Sequence, residues 1–221
     1  MSGYYIRLYK ASDYHTVRDI FARGIVEHTD GAVHHALTLP RIWMPSVVVM
    51  GLPLLIAGSL LTSILAGTII LGLIYYINRR PNTTYANISL RDDMLDIQKY
   101  YLQCEDRCFW VAESDREIVG MVAAAPFLHN GGEKQMELKR LSVPRRHRGK
   151  GIGKALCRTV IDFARRRGYK AVVLEASLQQ TTSCYLYEKM GFRRAYYFYP
   201  DYFCARYIDL EYVIYQYDIQ E

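Results

Sequence analysis

The sequence lacks the cysteine patterns that cross-link small secreted domains or hold zinc. Its 221 residues include five cysteines, which is an odd number, and no close pair of them recurs along the chain. Disulfide frameworks need paired cysteines, and the common zinc sites need closely spaced Cys or His pairs. We therefore expect a protein of a reducing compartment, with no disulfide framework and no metal.

Charge is absent from one long stretch, residues 42–78, in which Val, Leu, Ile, Met and Gly dominate. As a single helix rising ~1.5 Å per residue, this stretch would reach roughly 55 Å, far beyond the roughly 30 Å hydrocarbon core of a bilayer. Pro45, Gly51, Pro53 and the neighbouring Gly58 and Ser59 offer places to break it. The sequence predicts two shorter helices that turn near Gly58 and form a membrane-embedded hairpin, with the lipid bilayer as a partner.

Positive charge is in excess, with 28 Lys and Arg against 22 Asp and Glu, a formal net charge of +6. Such a balance favours anionic ligands or an anionic membrane surface, and nucleic acid is the competing interpretation. The densest basic cluster, residues 145–150, is interrupted by glycines and has no interleaved aromatic side chains. This arrangement suits a compact polyphosphate better than a nucleic-acid track, so we expect no nucleic-acid partner.

Periodicity outside the apolar stretch alternates between strand and helix patterns. Strands are predicted at 4–10, 108–113, 118–125, 136–143, 170–176, 194–199 and 207–217, and helices from Ser12, at 91–103, at 151–167 and at 181–190. The order predicts an α/β fold with a mixed central sheet flanked by helices. We divide the chain into an N-terminal strand and helix (1–41), the anchor (42–78) and the remainder of the catalytic domain (79–221).

A glycine-rich motif, Arg148-Gly149-Lys150-Gly151-Ile152-Gly153-Lys154, lies between a predicted strand and a predicted helix. Backbone N–H groups at a helix N-terminus can hold a phosphate, and glycines allow its close approach. The spacing matches neither the dinucleotide fingerprint nor the Walker motif. Sites for NAD and ATP are therefore not predicted.

The pattern Arg148-x-x-Gly151-x-Gly153 and the order of elements resemble the pyrophosphate loop and the fold of the GCN5-related N-acetyltransferase (GNAT) superfamily. The segment Leu186-Tyr187-Glu188-Lys189-Met190-Gly191-Phe192 is similar to its closing helix. The resemblance implies acetyl-CoA as cosubstrate, held in a gap where strand 138–143 splays from strand 170–176. The cofactor-binding residues that it implies are Leu141, Val143, Arg148, Gly149, Gly151, Gly153 and Lys154.

The apolar insert, with Asp92-Asp93-Met94-Leu95-Asp96-Ile97 and Cys108-Phe109-Trp110-Val111-Ala112, resembles the camello-like N-acetyltransferase 8 family. This resemblance implies an N-acetyltransferase on the endoplasmic reticulum membrane. Arg41 before the apolar stretch and Arg79 and Arg80 after it predict that the catalytic domain is cytosolic. The small-molecule amine acceptor would be an amino acid or a cysteine S-conjugate. A protein-lysine acetyltransferase of the secretory pathway and a catalytically silent acyl-CoA-binding module are the alternatives, and neither the acceptor nor the oligomeric state follows from the sequence.

Two catalytic roles follow from this resemblance. Tyr187 is the general acid that protonates the departing thiolate, and Glu137 is the base that deprotonates the amine, with Glu175 as the second candidate. A packed aromatic at 187 and an ion pair of Glu137 with Lys139 or Arg116 are the alternative interpretations. Gln180 stands where the superfamily often has Asn, and Arg140, Arg193 and Arg206 are uncommitted candidates for an acceptor carboxylate.

Overall fold

The computed structural model describes residues 3–127 and 134–219 as one seven-stranded sheet with helices on both faces. The strands are β1 Tyr5–Leu8, β2 Cys108–Ser114, β3 Glu117–Phe127, β4 Gln135–Ser142, β5 Ala171–Ser177, β6 Arg193–Phe198 and β7 Tyr212–Asp218. The α-helices are α1 Tyr14–Thr38, α2 Pro40–Ala57, α3 Leu60–Arg91, α4 Ile152–Arg166 and α5 Thr181–Lys189. Short 3-10 turns occupy Ala11–Asp13 and Arg145–His147, and a π-helix occupies Gln98–Leu102. The predicted mixed α/β fold is confirmed.

The strand order is β1-β2-β3-β4-β5-β7-β6, and every described pairing is antiparallel except that of β4 with β5. The first strand pairs with β2 although the whole apolar stretch lies between them in sequence, with Tyr5 opposite Glu113 and Leu8 opposite Trp110. Strands β1 and β2, which come before and after the hairpin in sequence, therefore belong to one sheet. Both ends of the hairpin must lie on the side of the hairpin where this sheet stands.

Each face of the sheet is covered by its own apolar core. On one face α4 contributes Leu156, Val160 and Phe163, which recur at helical spacing and pack against β3 and β5. On the other face Val17 and Phe21 of α1 pack with residues that follow α3. Burial on both faces explains why the central strands are nearly continuous apolar runs.

The apolar stretch forms a helical hairpin that stands apart from both cores. Helix α2 ends at Gly58, which adopts a left-handed backbone (φ 59), and Ser59 caps α3, so the turn occurs where it was predicted. In the most apolar windows of α2 and α3 only 6% and 11% of the residues are buried. By length and composition, each helix could cross a membrane.

Several predicted element boundaries differ from the structure. Pro45 and Pro53 lie inside α2 without ending it, and α3 runs past the apolar stretch to Arg91. The division of the chain at residue 78 stays a prediction. Of the helix predicted at 91–103, only the π-helix Gln98–Leu102 forms, because α3 ends at Arg91 and the backbone of Asp92 (φ −104, ψ −112) leaves the helical region. The last strand begins at Tyr212, since residues 199–211 pack on the hairpin instead.

A bulge in β4 diverts the strand at Arg140. Its φ is 57, and the register against β3 shifts between Met121, which is opposite Ser142, and Ala123, which is opposite Lys139. The two residues 140 and 141 therefore face one residue of β3, which bends the strand and increases its twist.

The bulge is held by a buried ion pair. Arg140 Nε and Nη2 donate to the two carboxylate oxygens of Asp93 at 2.9 and 2.6 Å. The Tyr101 hydroxyl also donates to Asp93. Arg140 Nη1 donates to the Tyr85 hydroxyl oxygen at 2.6 Å, and the Phe21 ring lies 5.1 Å below the guanidinium carbon. Every polar atom of this buried pair thus has a partner, as such a pair requires.

We expect Asp93→Asn to lower the free energy of unfolding by about 3–5 kcal/mol, because it leaves the Arg140 guanidinium charged, buried and uncompensated. Denaturant unfolding of the purified protein in detergent, followed by circular dichroism, measures this change. The neighbouring Asp92 is exposed, so Asp92→Asn is the matched control and should stay within about 0.5 kcal/mol of wild type. Equal stabilities for the two variants would contradict this account of the bulge.

Candidate active site

The sheet splits between its two parallel strands. Strands β4 and β5 pair only from Gln135 opposite Ala171 to Glu137 opposite Val173, and beyond that point they diverge. The predicted splay of residues 138–143 from 170–176 is confirmed. Past Glu137, the backbone groups of β4 that face β5 have no partner in the described sheet. An extended ligand can form hydrogen bonds with them in the same way as an added strand would.

A cavity of about 530 Å³ lies at this split. Its wall is formed by the end of β4, the glycine-rich motif, the beginnings of α4 and α5, and the middle of α1. All seven residues predicted to bind the cofactor line it: Leu141, Val143, Arg148, Gly149, Gly151, Gly153 and Lys154. Gln180 lies on the same wall. The volume falls in the range of ordinary small-ligand pockets.

The glycine-rich motif begins α4 with a left-handed turn. Gly149 and Gly151 have φ of 78 and 79, and Gly151 is the N-cap of α4. The first N–H groups of the helix therefore have no intrahelical partner and stand at the cavity, where the helix dipole favours an anion. A polyphosphate fits this cradle.

Helix α1 supplies one wall of the cavity, and the sequence motifs did not predict this. Glu27 accepts from Arg148 Nη2 at 2.7 Å and pairs with Arg145 at 3.5 Å, so one carboxylate holds the first arginine of the glycine-rich motif and the arginine three residues before it. Burial, together with the nearby Arg148 cation, lowers the pKa of His28 and keeps its ring neutral. A Cβ on Gly24 would lie 2.6 Å from the Ser142 Oγ, so glycine permits the close approach of α1 to β4.

Comparison with known proteins agrees with this geometry. The sequence profile of the Acetyltransferase (GNAT) family matches residues 74–192. N-acetyltransferase 8F1 of Mus musculus is 42% identical over 199 residues, which cover 88% of each chain, and the probable N-acetyltransferase camello of Xenopus laevis is 37% identical over 220 residues, all of both chains. The crystal structure of a GNAT-family acetyltransferase from Staphylococcus aureus Mu50 shares the fold, with a TM-score of 0.56 and 16% identity over 99% of this chain and 100% of that one.

The chain belongs to the GNAT acetyltransferase family. It is an acetyl-CoA-dependent N-acetyltransferase, and the camello-like resemblance stated from the sequence is confirmed. Among residues 3–127 and 134–219, no three His, Cys, Asp or Glu side chains are grouped to hold a metal ion.

Two carboxyl groups stand beside the split of the acetyltransferase sheet. Glu137 is the last residue of β4 that pairs with β5, and its carboxylate lies 3.3 Å from Lys139 Nζ. Of the two partners considered from sequence, Lys139 is therefore the one observed. Burial, followed by the negative charge of Glu137, raises the pKa of Glu175, and Lys139 offsets part of this effect. The two carboxyls thus share one electrostatic environment.

Tyr187 does not line the cavity. Its side chain packs in the core with Phe192 and Tyr215, with ring centroids 5.9 and 5.7 Å away, and only 7% of the residue is exposed. Burial raises the pKa of Tyr187 well above its usual value, so the hydroxyl stays protonated at neutral pH. Its neighbours Leu186 and Met190 do reach the cavity wall.

The candidate arginines for an acceptor carboxylate are all occupied. Arg140 is buried in its pair with Asp93, and Arg193 pairs with Asp218. The guanidinium carbon of Arg206 lies 5.1 Å from the centre of the Tyr199 ring. Instead, Lys139 pairs with Glu137, and Tyr85 and Tyr212 lie close enough to Glu175 to interact with its charge. Burial, followed by Glu175 and Tyr85, raises the pKa of Tyr212 to about 12. Nothing in the local sequence around Tyr85 or Tyr212 marks these residues as part of a site.

We expect Gly151→Val to raise the dissociation constant and the KM for acetyl-CoA, because the side chain strains a left-handed backbone and obstructs the N–H cradle. Isothermal titration calorimetry measures the binding. Gly168 at the end of α4 has a similar φ of 69, does not line the cavity, and has open space around its Cβ position. Gly168→Val is thus a control with matched backbone strain, and equal acetyl-CoA affinities in the two variants would exclude the motif from the donor site.

Proposed function

We propose that this acetyltransferase is a membrane-bound enzyme that transfers acetyl from acetyl-CoA to the α-amine of a small amino acid or a cysteine S-conjugate. The observation that supports it most directly is the cavity at the split: the seven motif and strand residues share one wall, and the sheet divides immediately after Glu137. Glu137 and Glu175 do not line this cavity, but they lie on the two strands between which the split opens.

On the donor side, Leu141 and Val143 offer strand-edge backbone groups to the pantetheine arm. Gly149, Gly151 and Gly153 open the approach to the first N–H groups of α4, while Arg148 and Lys154 add positive charge for the pyrophosphate. Arg148 is held by Glu27 and by the carbonyl oxygen of Val143, to which its Nε donates at 2.8 Å. Phosphate oxygens would compete with Glu27 for this guanidinium.

On the acceptor side, an amine must lose its proton before or during its attack on the acetyl carbon. Glu137 is the base that we propose, and its carboxylate pairs with Lys139. Glu175 is the alternative, since its pKa is raised above the usual value of a glutamate, which makes it a stronger proton acceptor than an ordinary carboxylate. Tyr187 is the proposed proton donor to the leaving thiolate, a role that requires its hydroxyl to reach the sulfur from the core.

An acceptor carboxylate can be recognised without a free arginine. The Tyr85 hydroxyl oxygen accepts a hydrogen bond from Arg140, so its own proton is available to donate elsewhere. The Tyr85 residue is half exposed, and Lys139 supplies a cation on the same side of the sheet. The stacked rings of Phe198 and Tyr212, with centroids 5.8 Å apart, supply an apolar wall that suits the substituent of a cysteine S-conjugate.

The hairpin is the proposed membrane anchor. Because β1 pairs with β2, both ends of the hairpin must lie on one side of the bilayer, so the number of crossings is even. Arg41 precedes the apolar stretch, and Arg79 and Arg80 follow it, as expected for ends that face the cytosol. Asn82 and Asn87 resemble glycosylation sites, but the Asn82 side chain donates to Thr29 within the fold at 3.2 Å. The endoplasmic reticulum, implied by the family resemblance, is the membrane that we expect.

We expect the purified protein to release free thiol from acetyl-CoA only when an amine is added, and faster with S-benzyl-cysteine or aspartate than with a lysine peptide. A thiol-reactive dye follows the reaction. Release with the lysine peptide alone would favour the protein-lysine alternative, whereas no release with any amine would favour a silent binding module.

The two candidate bases make different predictions for kcat against pH at saturating substrates. If Glu137 is the base, Glu137→Gln lowers kcat roughly 100-fold or more at every pH. If Glu175 is the base, Glu137→Gln retains kcat and moves the acidic limb to lower pH, because the like charge that raises the pKa of Glu175 is gone. Lys139→Met would then move that limb to higher pH. Wild-type profiles for both variants would exclude both carboxyls.

A further inference from the structure

The segment between β6 and β7, residues 199–211, packs on the base of the hairpin. Ala205, Ile208 and Leu210 are buried in a cluster with Ala36 of α1 and Ile42 of α2. Ile74 and Ile77 of α3 pack against the same cluster. The segment therefore belongs to the hairpin base as much as to the sheet that it connects.

Hydrogen bonds fix the height of this segment along the hairpin. Arg41 Nε donates to the Tyr207 carbonyl oxygen at 2.8 Å, and the Tyr207 hydroxyl donates to the Arg41 carbonyl oxygen at 2.8 Å. The Tyr202 hydroxyl donates to the Ile77 carbonyl oxygen at 3.2 Å. Asp209 pairs with His35 at 3.0 Å. Residues 199–211 are thus held level with the first turn of α2 and with Ile77.

The same level carries the residues that mark a membrane–water interface. Arg79 Nη1 donates to the Tyr75 hydroxyl oxygen at 3.0 Å, and the Arg79 and Arg80 guanidinium carbons lie 5.7 and 5.8 Å from the centres of the Tyr75 and Tyr76 rings. Trp43 is exposed on α2. Exposed aromatic rings with neighbouring cations at the end of an apolar helix are typical of the headgroup region. If the hairpin lies in a bilayer, the membrane–water interface therefore lies at the level of residues 41–43 and 75–80.

At this level, the segment exposes a large apolar side chain. Phe203 is 89% exposed, the highest value of any large hydrophobic residue in the described part of the chain, and its ring contacts only that of Tyr202, with centroids 5.3 Å apart. Comparable exposure occurs at the hairpin tip, where Leu55 is 84% exposed. A phenylalanine side chain left in water lacks the roughly 1.5–3 kcal/mol of stabilising free energy that its burial would provide.

We propose that residues 199–211 form a third membrane contact, with Phe203 inserted among the lipid headgroups beside the hairpin. The proposal rests on the membrane anchoring proposed above. The exposed carboxylate of Asp201 limits the contact to a shallow one, because a charge is costly deeper in the bilayer. The occupant is a lipid surface, and the surface of the segment is continuous with that of the apolar hairpin.

This contact sets where the acceptor reaches the enzyme. Tyr212 follows the segment directly, packs against its cluster and lies close to Glu175. If the segment rests on the bilayer, this side of the site opens at the membrane surface. Of the two acceptors proposed above, this position favours the cysteine S-conjugate over aspartate, because its apolar substituent concentrates it in the headgroup layer.

The contact is tested with the full chain reconstituted into phosphatidylcholine vesicles. A fluorescent probe is attached to one introduced, exposed cysteine at a time. Cys104 and Cys204 are first replaced by Ser, and the buried Cys108, Cys157 and Cys184 are retained. The environment-sensitive dye is then attached at Phe203→Cys, Leu55→Cys or Leu95→Cys. Leu95 is a matched exposed apolar position, and it follows the end of α3, roughly 20 Å along the helix from Ile77.

Emission of the dye at 203 should shift to the blue and be quenched by a nitroxide carried on the lipid, as at 55. The dye at 95 should be quenched by aqueous iodide several-fold more strongly than the dye at 203. If the dye at 55 is lipid-quenched while 203 behaves like 95, the third contact is overturned and the anchor stands. If the dye at 55 is itself aqueous, the membrane proposal fails and the third contact fails with it.

Discussion

Arg140 lies where β4 turns away from β5, and its guanidinium is buried against Asp93. A strand that bulges inside a sheet leaves backbone groups without ladder partners and puts a side chain where the regular pleat would not. Here the diverted side chain is charged, so the bulge requires a buried carboxylate. Asp93, Tyr101 and Tyr85 satisfy that charge. The split of the sheet, and with it the donor cavity, depends on this cluster.

Helix α3 connects the apolar hairpin to the site. It begins at the hairpin turn, runs without interruption past the apolar stretch and ends beside the core. Tyr85, in the last quarter of this helix, meets Arg140 on β4, while Ile74 and Ile77 meet the β6–β7 segment. The proposed anchor is therefore continuous with the catalytic domain, because the helix that packs on the sheet also forms one arm of the apolar hairpin.

Features encoded by adjacent residues could be predicted from the sequence. The motif from Arg148 to Lys154 shapes its own backbone through glycines at positive φ, so its place at a helix start followed directly. The hairpin turn at Gly58 followed from the absence of charge and the need to break a long apolar helix. Most of the helix expected at 91–103 did not form because Asp93 and Met94 are drawn into the core, an effect that helical periodicity does not register.

By itself the sequence determined the element order, the hairpin and the phosphate motif, since each depends on local periodicity or local backbone freedom. The tertiary structure alone decided which distant residues meet: Glu27 with Arg148, Asp93 with Arg140, and Glu175 with Glu137. It also decided that Tyr187 lies in the core and that Phe203 stands level with the ends of the hairpin. The physical reason is that burial, charge pairing and pKa depend on neighbours in space, which the packing of helices on the sheet brings together.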